Sequence, residues 1–377
     1  MLKNSKAARQ FLNSKYYRIY IDEYQDSDVD MHNLFMYICK EIGIRLFIVG
    51  DIKQSIYGWR GGYVKGFKSI IADTKLFKEF KLKHNFRSNV PIQNYSNLFM
   101  DDVRDNYQKS EFNNEIIGFA YRERDFASSF ISKWLDLTKN CAFLVRKNDD
   151  ADVWSQHLQS KGINFIYLPA SPLDNSNLES EHIWIARTLA FYLIQDRFSE
   201  YDVIAEIPSS DAFSFKKIKQ MLSDLKSNTS NLDEFSKQTA KFYEYLGYTC
   251  SEKTSNEIQE LFSVINNPIY IPTYNPQKYN HVITTIHSAK GLEYSQIIIQ
   301  AGDFNLANVD DKYLHYVAVS RPEDKLLVLI DYSLNNGRNY IRVMSQEIEK
   351  TNLLGFDIKR DDVIKGINSS EFITTKS

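Results

Sequence analysis

The hydrophobic positions of this chain fall into short dense runs separated by longer polar stretches. The first run lies in YRIYIDEYQD (17–26), is rich in β-branched and aromatic residues, and stops at Asp22. It predicts a buried strand with a carboxylate at its C-terminal end. In the following stretch Met31, Leu34, Phe35, Ile38 and Ile42 recur at helical spacing, and Gly43 is a stop signal. RLFIVGD (45–51) is a second apolar run, read as a buried strand that again ends in an acid. Strand, helix and strand in one such unit predict a parallel pair. Ligands of parallel α/β sheets bind beyond the C-terminal strand ends, so Asp22, Glu23 and Asp51 fall on the ligand side.

Further strands of the same kind are predicted at CAFLVR (141–146), NFIYL (164–168), HVITTIH (281–287), SQIIIQAGD (295–303) and KLLVLID (325–331), with helical patterns between several of them. From about 171 to 277 the chain turns rich in Ser, Asn, Lys and Asp and carries few apolar β runs. That stretch reads as a mostly helical insertion between two strands of a second sheet. The expected fold class is therefore α/β.

Composition narrows this little. The 377 residues are 43% hydrophobic and 25% charged, ordinary for a globular protein of two or three domains. The formal net charge of −2 means that any nucleic acid must be held by local basic patches. Cys39, Cys141 and Cys250 are far apart and show neither a disulfide framework nor zinc spacing, which fits a reducing, cytoplasmic location. The basic N-terminus is not followed by an apolar core, so no signal peptide is expected, and no run reaches membrane-spanning length.

Five short blocks carry candidate chemistry. In Asp22-Glu23-Tyr24-Gln25-Asp26, an acid at a strand end can hold Mg²⁺ and its neighbour can act on an attacking water. An acidic turn ahead of a helix N-terminus is an equally good reading. Gly50 to Gly62 (GDIKQSIYGWRGG) is a glycine-dense loop in which Gln54 can sense a phosphate. In the same loop Trp59 can stack on a base beside Arg60, unless Trp59 is simply core. LKHNFRS (82–88) sets Phe86 next to Arg87, a possible base-and-phosphate clamp. It follows Lys75, Lys78, Lys81 and Lys83, read as a solvated face. TTIHSAKGLEY (284–294) ends a strand in small and polar residues, with Glu293 placed to take a ribose hydroxyl and His287 able to meet a phosphate, though a lone histidine is more often structural. In YVAVSRPEDK (316–325), Arg321 is either a phosphate-facing arginine or a surface partner of Glu323 or Asp324.

In this order the five blocks resemble the motifs of UvrD/Rep-type superfamily-one DNA helicases, over Tyr17 to Asp331. The wording of IDEYQDSDVDMHNLFMY (21–37) and the lean insertion resemble, more narrowly, the helicase subunits of Gabija anti-phage systems. The resemblance implies two RecA-like parallel-sheet domains: residues 1–90 as the C-terminal part of the first, and 91–377 as the second with its insertion. It implies ATP and Mg²⁺ as cofactors and single-stranded DNA as partner. Asp22 would coordinate Mg²⁺, Glu23 would act on the hydrolytic water and Gln54 would contact the γ-phosphate. Phe86 would stack on adenine, Glu293 would hold the ribose, and Arg87 and Arg321 would be arginine fingers. Trp59, Arg60 and His287 would touch DNA.

The pattern breaks at one point. The family's phosphate loop, G-x-x-x-x-G-K-[ST], occurs nowhere in the sequence, and Pro322 stands where the family usually has alanine. The upstream half of the first domain is expected to be missing, through truncation or as a natural remnant. That would leave residues 16–90 as a partial sheet with an open edge and face, and the second domain complete. The expected function is an ATP-dependent, 3′-to-5′ DNA translocase or helicase in anti-phage defence or repair, inactive as this chain alone. The alternative is a non-catalytic DNA-binding or partner-regulating subunit. Too few residues follow Asp331 for a nuclease domain, so any nuclease is expected as a separate partner.

Overall fold

The structure is a computed structural model that describes residues 2–82, 84–174, 178, 180–208 and 212–370. Lys83 of the lysine run, and parts of the insertion, lie outside the described residues. The described strands are β1 (Arg18–Ile21), β2 (Arg45–Ile48), β3 (Ile116–Tyr121), β4 (Cys141–Val145), β5 (Ile166–Tyr167), β6 (His281–Thr285), β7 (Tyr294–Gln300), β8 (Pro322–Asp331) and β9 (Lys365–Asn368). The chain forms two compact units, one of Met1–Leu135 with Ala289–Ser377 and one of Asp136–Ser288.

In the first unit β1 and β2 pair in parallel, with Tyr20 opposite Phe47 and Ile21 opposite Ile48. The helix between them runs over Val29–Tyr37, continues as a π turn over Ile38–Ile42, and stops at Gly43, whose φ of 84° no β-branched residue would tolerate. Ile19, Ile21 and Ile48 pack against helical side chains that include Phe35, Ile38 and Ile42. Both strands were expected to be buried, and here the structure differs. Arg18, Tyr20, Arg45 and Phe47 are exposed and only the alternate positions are covered. A parallel pair normally has helices on both faces, and among the described residues of this unit only one face of the pair is packed in this way. The Tyr20 and Phe47 rings meet on the open face at 5.4 Å.

The same unit holds a parallel ladder in the order β7-β8-β3-β9. Its centre is fully buried: Ile297, Ile298 and Ile299 on β7, Leu326, Leu327 and Val328 on β8, and Phe119 on β3. The sequence reading did not anticipate β3 or β9. The second unit pairs β5, β6 and β4 in parallel. It also contains the helices Ile183–Ile194, Glu200–Glu206, Phe215–Lys226, Leu232–Tyr245 and Glu252–Asn266, whose core is built on residues such as Leu189, Leu222, Phe235, Phe242 and Leu261. Helices with parallel strands make the chain α/β, as its sequence pattern predicts. Among the described residues no helix is long and apolar enough to cross a membrane.

Candidate functional site

The residues of interest in the first unit gather where β1 and β2 end. Beyond Ile21 the chain stays extended for one step, since Val49 N–H donates to Ile21 O at 2.8 Å and Tyr24 N–H to Val49 O at 3.0 Å. Glu23 then takes a φ of 50°, a left-handed conformation that costs a non-glycine residue roughly 1–3 kcal/mol. That kink leaves Asp22 and Glu23 exposed at the strand end while Tyr24 and Gln25 turn inward. Burial pushes the Tyr24 hydroxyl up to about 12. The helix-capping role expected of an acidic turn falls to Asp28, which accepts from Met31 N–H at 2.7 Å. Asp22 instead accepts from Glu23 N–H at 2.8 Å.

Gln25 ties the two strand ends together. Its Oε1 accepts from Asp51 N–H at 3.0 Å, and its Nε2 donates to Glu23 Oε2. Gly50 is glycine because of this arrangement: a Cβ there would lie 2.7 Å from Gln25 Oε1 and 2.9 Å from the Phe67 ring. Asp51 caps the short turn Ile52–Gln54 by accepting from Lys53 N–H at 3.0 Å, and it pairs with Lys53 Nζ at 2.8 Å. Gln54 Nε2 reaches Asp51 Oδ2 at 3.3 Å.

The later motifs of the same unit meet this cluster. Arg321 Nη2 donates to Gln54 Oε1 at 3.4 Å, and its other donors reach Val317 O, Leu292 O and Ser320 Oγ. It is 1% exposed, so the reading as a surface partner of Glu323 or Asp324 does not hold. Burial first, then the neighbouring Arg87 charge, lowers its guanidinium to about 10, still charged at neutral pH. Arg87 binds Glu293 Oε1 through Nη2 at 2.5 Å and through Nε at 2.6 Å, and Ser320 O through Nη1 at 3.4 Å. Lys290, a residue the sequence reading gave no role, donates to Asp26 Oδ2 at 2.5 Å and to Gln54 O at 2.8 Å. Burial raises the Asp26 carboxyl, and the hydrogen bond and charge of Lys290 pull against that rise.

The aromatic candidates are open to solvent. Trp59 is 68% exposed in the turn Gly58–Arg60, with the Arg60 guanidinium 4.6 Å from its ring centre, so it is not core. Phe86 is 90% exposed and its ring lies 5.2 Å from that of His84. Lys75, Lys78 and Lys81 are exposed, as a solvated face requires. His287 belongs to the second unit, half-buried in the turn after β6, where Thr285 Oγ1 accepts from Ser288 N–H at 3.2 Å. Gln25, Asp26 and Lys290 were the residues that sequence reasoning passed over. The available signal was that Lys290 stands between the small residues Ala289 and Gly291 in a turn between two strands, and that Gln25 lies between the acids Glu23 and Asp26 yet is uncharged.

Residues 1–75 match the UvrD/REP helicase N-terminal domain. The chain is 35% identical to the Gabija protein GajB of Bacillus cereus (strain VD045), over 94% of this chain and 71% of GajB. It is 22% identical to the ATP-dependent DNA helicase PcrA of Staphylococcus epidermidis (strain ATCC 35984), over 85% of this chain but only 55% of PcrA. It is 27% identical to the ATP-dependent DNA helicase Rep of Buchnera aphidicola, over 42% of this chain and 25% of Rep. On the strength of the GajB match and the UvrD/REP domain at its N-terminal end, the chain belongs to the GajB family of UvrD/Rep-like helicases.

Proposed function

We propose that this chain carries the hydrolytic half-site of an ATP-driven motor that moves 3′-to-5′ on single-stranded DNA and serves anti-phage defence beside a separate nuclease subunit. The observation that carries the proposal is the convergence of Glu23, Gln54, Arg87, Glu293 and Arg321 within one compact unit, linked through Gln54–Arg321 and Arg87–Glu293. In this reading Glu23 orients and deprotonates the attacking water. The glutamine and two arginines meet the transferring phosphoryl group, where fixed charge lowers the barrier most. Glu293 takes the ribose and Phe86 the adenine. Trp59 stacks on a DNA base with Arg60 beside it, and His287 contacts the DNA backbone. Residues 1–90 would be the C-terminal part of a first RecA-like domain, and 91–377 a second with a helical insertion.

A magnesium ion fits the exposed strand-end carboxylates. Among the described residues no cluster of three or more His, Cys, Asp or Glu forms a cage. Magnesium is typically held by one or two carboxylates plus phosphates and water, and Asp22 is the side chain that would hold it. When bound it would neutralise charge on the phosphates. The sequence contains no G-x-x-x-x-G-K-[ST] loop to cradle those phosphates. We therefore expect the chain by itself to hydrolyse ATP only at background rate, single-stranded DNA present or not. A hydrolysis assay with and without a phosphate-loop segment supplied in addition tests the proposal. Turnover that appears only with the segment supports a motor. No turnover together with intact DNA binding would favour a non-catalytic, DNA-binding subunit.

A further inference from the structure

We propose that Lys290 is a positioning residue that locks the acidic segment 22–26 and the Gln54 loop into one arrangement. The inference rests on the reading above only in taking Glu23 and Gln54 as the groups worth positioning. Lys290 comes from the turn that follows the second unit's last strand, more than two hundred residues from Asp26 in sequence. Its side chain is 7% exposed, yet its ammonium meets groups from two separate segments. It donates to Asp26 Oδ2 at 2.5 Å and to the main-chain oxygen of Gln54 at 2.8 Å, and stands 3.7 Å from Glu23 Oε2. It also lies 5.0 Å from the centre of the Tyr57 ring, three residues beyond Gln54. An ammonium has three donors and no acceptor, so one group bridges the acid segment and the glutamine loop.

The local backbone needs such a bridge. Glu23 sits in a strained left-handed conformation, which persists only where the surroundings over-determine it. Within the segment, Gln25 holds the Glu23 carboxylate from one side. Lys290 supplies the second hold, from a distant part of the chain. Asp26 gives the lysine its anchor. Among the described residues Asp26 Oδ1 is buried without a hydrogen-bond partner, so the Lys290 contact at Oδ2 carries most of the compensation for burying this carboxylate. Arginine has the charge to make the same bridge, whereas methionine fills the space and makes none of these bonds.

Hydrogen–deuterium exchange on the chain as it stands, compared between wild type, Lys290→Met and Lys290→Arg, tests the role without nucleotide. In Lys290→Met the amides of 23–27 and 52–57 should exchange about tenfold faster, the scale of one lost charge-assisted hydrogen bond. Amides of the β3–β8 ladder should keep their wild-type rates, and Lys290→Arg should recover most of the protection. Unchanged exchange in 23–27 and 52–57 would overturn the proposal. So would acceleration spread evenly over the ladder, which marks a general packing role. Glu23→Gln in a hydrolysis assay, with a phosphate-loop segment supplied as above, tests the reading of Glu23 separately. If that variant turns over normally while Lys290→Met loosens both segments, the tether stands and the assignment of the acid falls.

Discussion

Arg87 places two guanidinium nitrogens on a single carboxylate oxygen of Glu293, Nη2 at 2.5 Å and Nε at 2.6 Å. One of these residues is assigned here to the phosphate and the other to the ribose. In the structure each neutralises the other, so a nucleotide that engages both must exchange this pair for contacts of its own. The pair is half-exposed, and solvent screening limits what it adds to the fold.

Arg87→Ala should therefore shift unfolding by no more than about 1 kcal/mol, as exposed pairs do. With a phosphate-loop segment supplied, hydrolysis in the same variant should fall by roughly 10³–10⁵, the range for a lost arginine finger. Thermal melts and turnover on one preparation check both. A large stability loss with little loss of turnover would make Arg87 a structural residue.

Trp59 makes the opposite forecast. Because its ring is exposed, Trp59→Ala should leave the melting temperature close to wild type. Affinity for single-stranded DNA should weaken by roughly 1–3 kcal/mol, the worth of one base stack. Fluorescence anisotropy with a labelled oligonucleotide reads this directly. Equal affinity in the two proteins would remove Trp59 from the DNA track.

A pH dependence is built into the core of the first unit. His315 is fully buried, its Nε2 bonded to Tyr340 Oη at 2.6 Å and its Nδ1 without a partner among the described residues. The rings of Phe99 and Phe304 enclose it, and Tyr95 lies beyond Tyr340 at 2.6 Å, hydroxyl to hydroxyl. Burial, helped by the Lys312 charge, pushes the imidazole from its ordinary 6.5 down to about 3. Its folded value lies below its unfolded one, so the unfolded chain binds the extra proton. This contribution to stability is complete above about pH 6.5 and is lost progressively as pH falls toward 3. His315→Gln, which cannot titrate, should lose less melting temperature than wild type between pH 7.5 and 5. Parallel decline in both proteins would contradict this.

Most of the candidate site is visible in the sequence because it depends on short segments whose chemistry is local. An acid at the end of an apolar run, a glycine-dense loop and an arginine before a strand are visible as strings. What escaped depended on partners distant in sequence. β3 was missed because IIGFAY lies within a polar stretch and is interrupted by Gly118, and β9 because Lys365–Asn368 has a single large apolar residue. β9 is a strand through its parallel pairing with β3, a tertiary cause that pattern does not carry. The partial exposure of β1 and β2 was masked in the same way. Tyr20 and Phe47 are apolar enough to suggest burial, and only the packing around them decides it. Lys290 escaped for the same reason, since its role lies in residues more than two hundred positions away.

The central claim is that Glu23 is the acid that acts on the hydrolytic water. The measurement that tests it most directly is single-strand-stimulated ATP hydrolysis by wild type and Glu23→Gln, each supplied with a phosphate-loop segment, with ATP binding followed in parallel. Glutamine keeps the shape of the side chain and cannot accept the proton. The account predicts that binding survives in Glu23→Gln while turnover drops to background. Wild-type turnover in Glu23→Gln would contradict it.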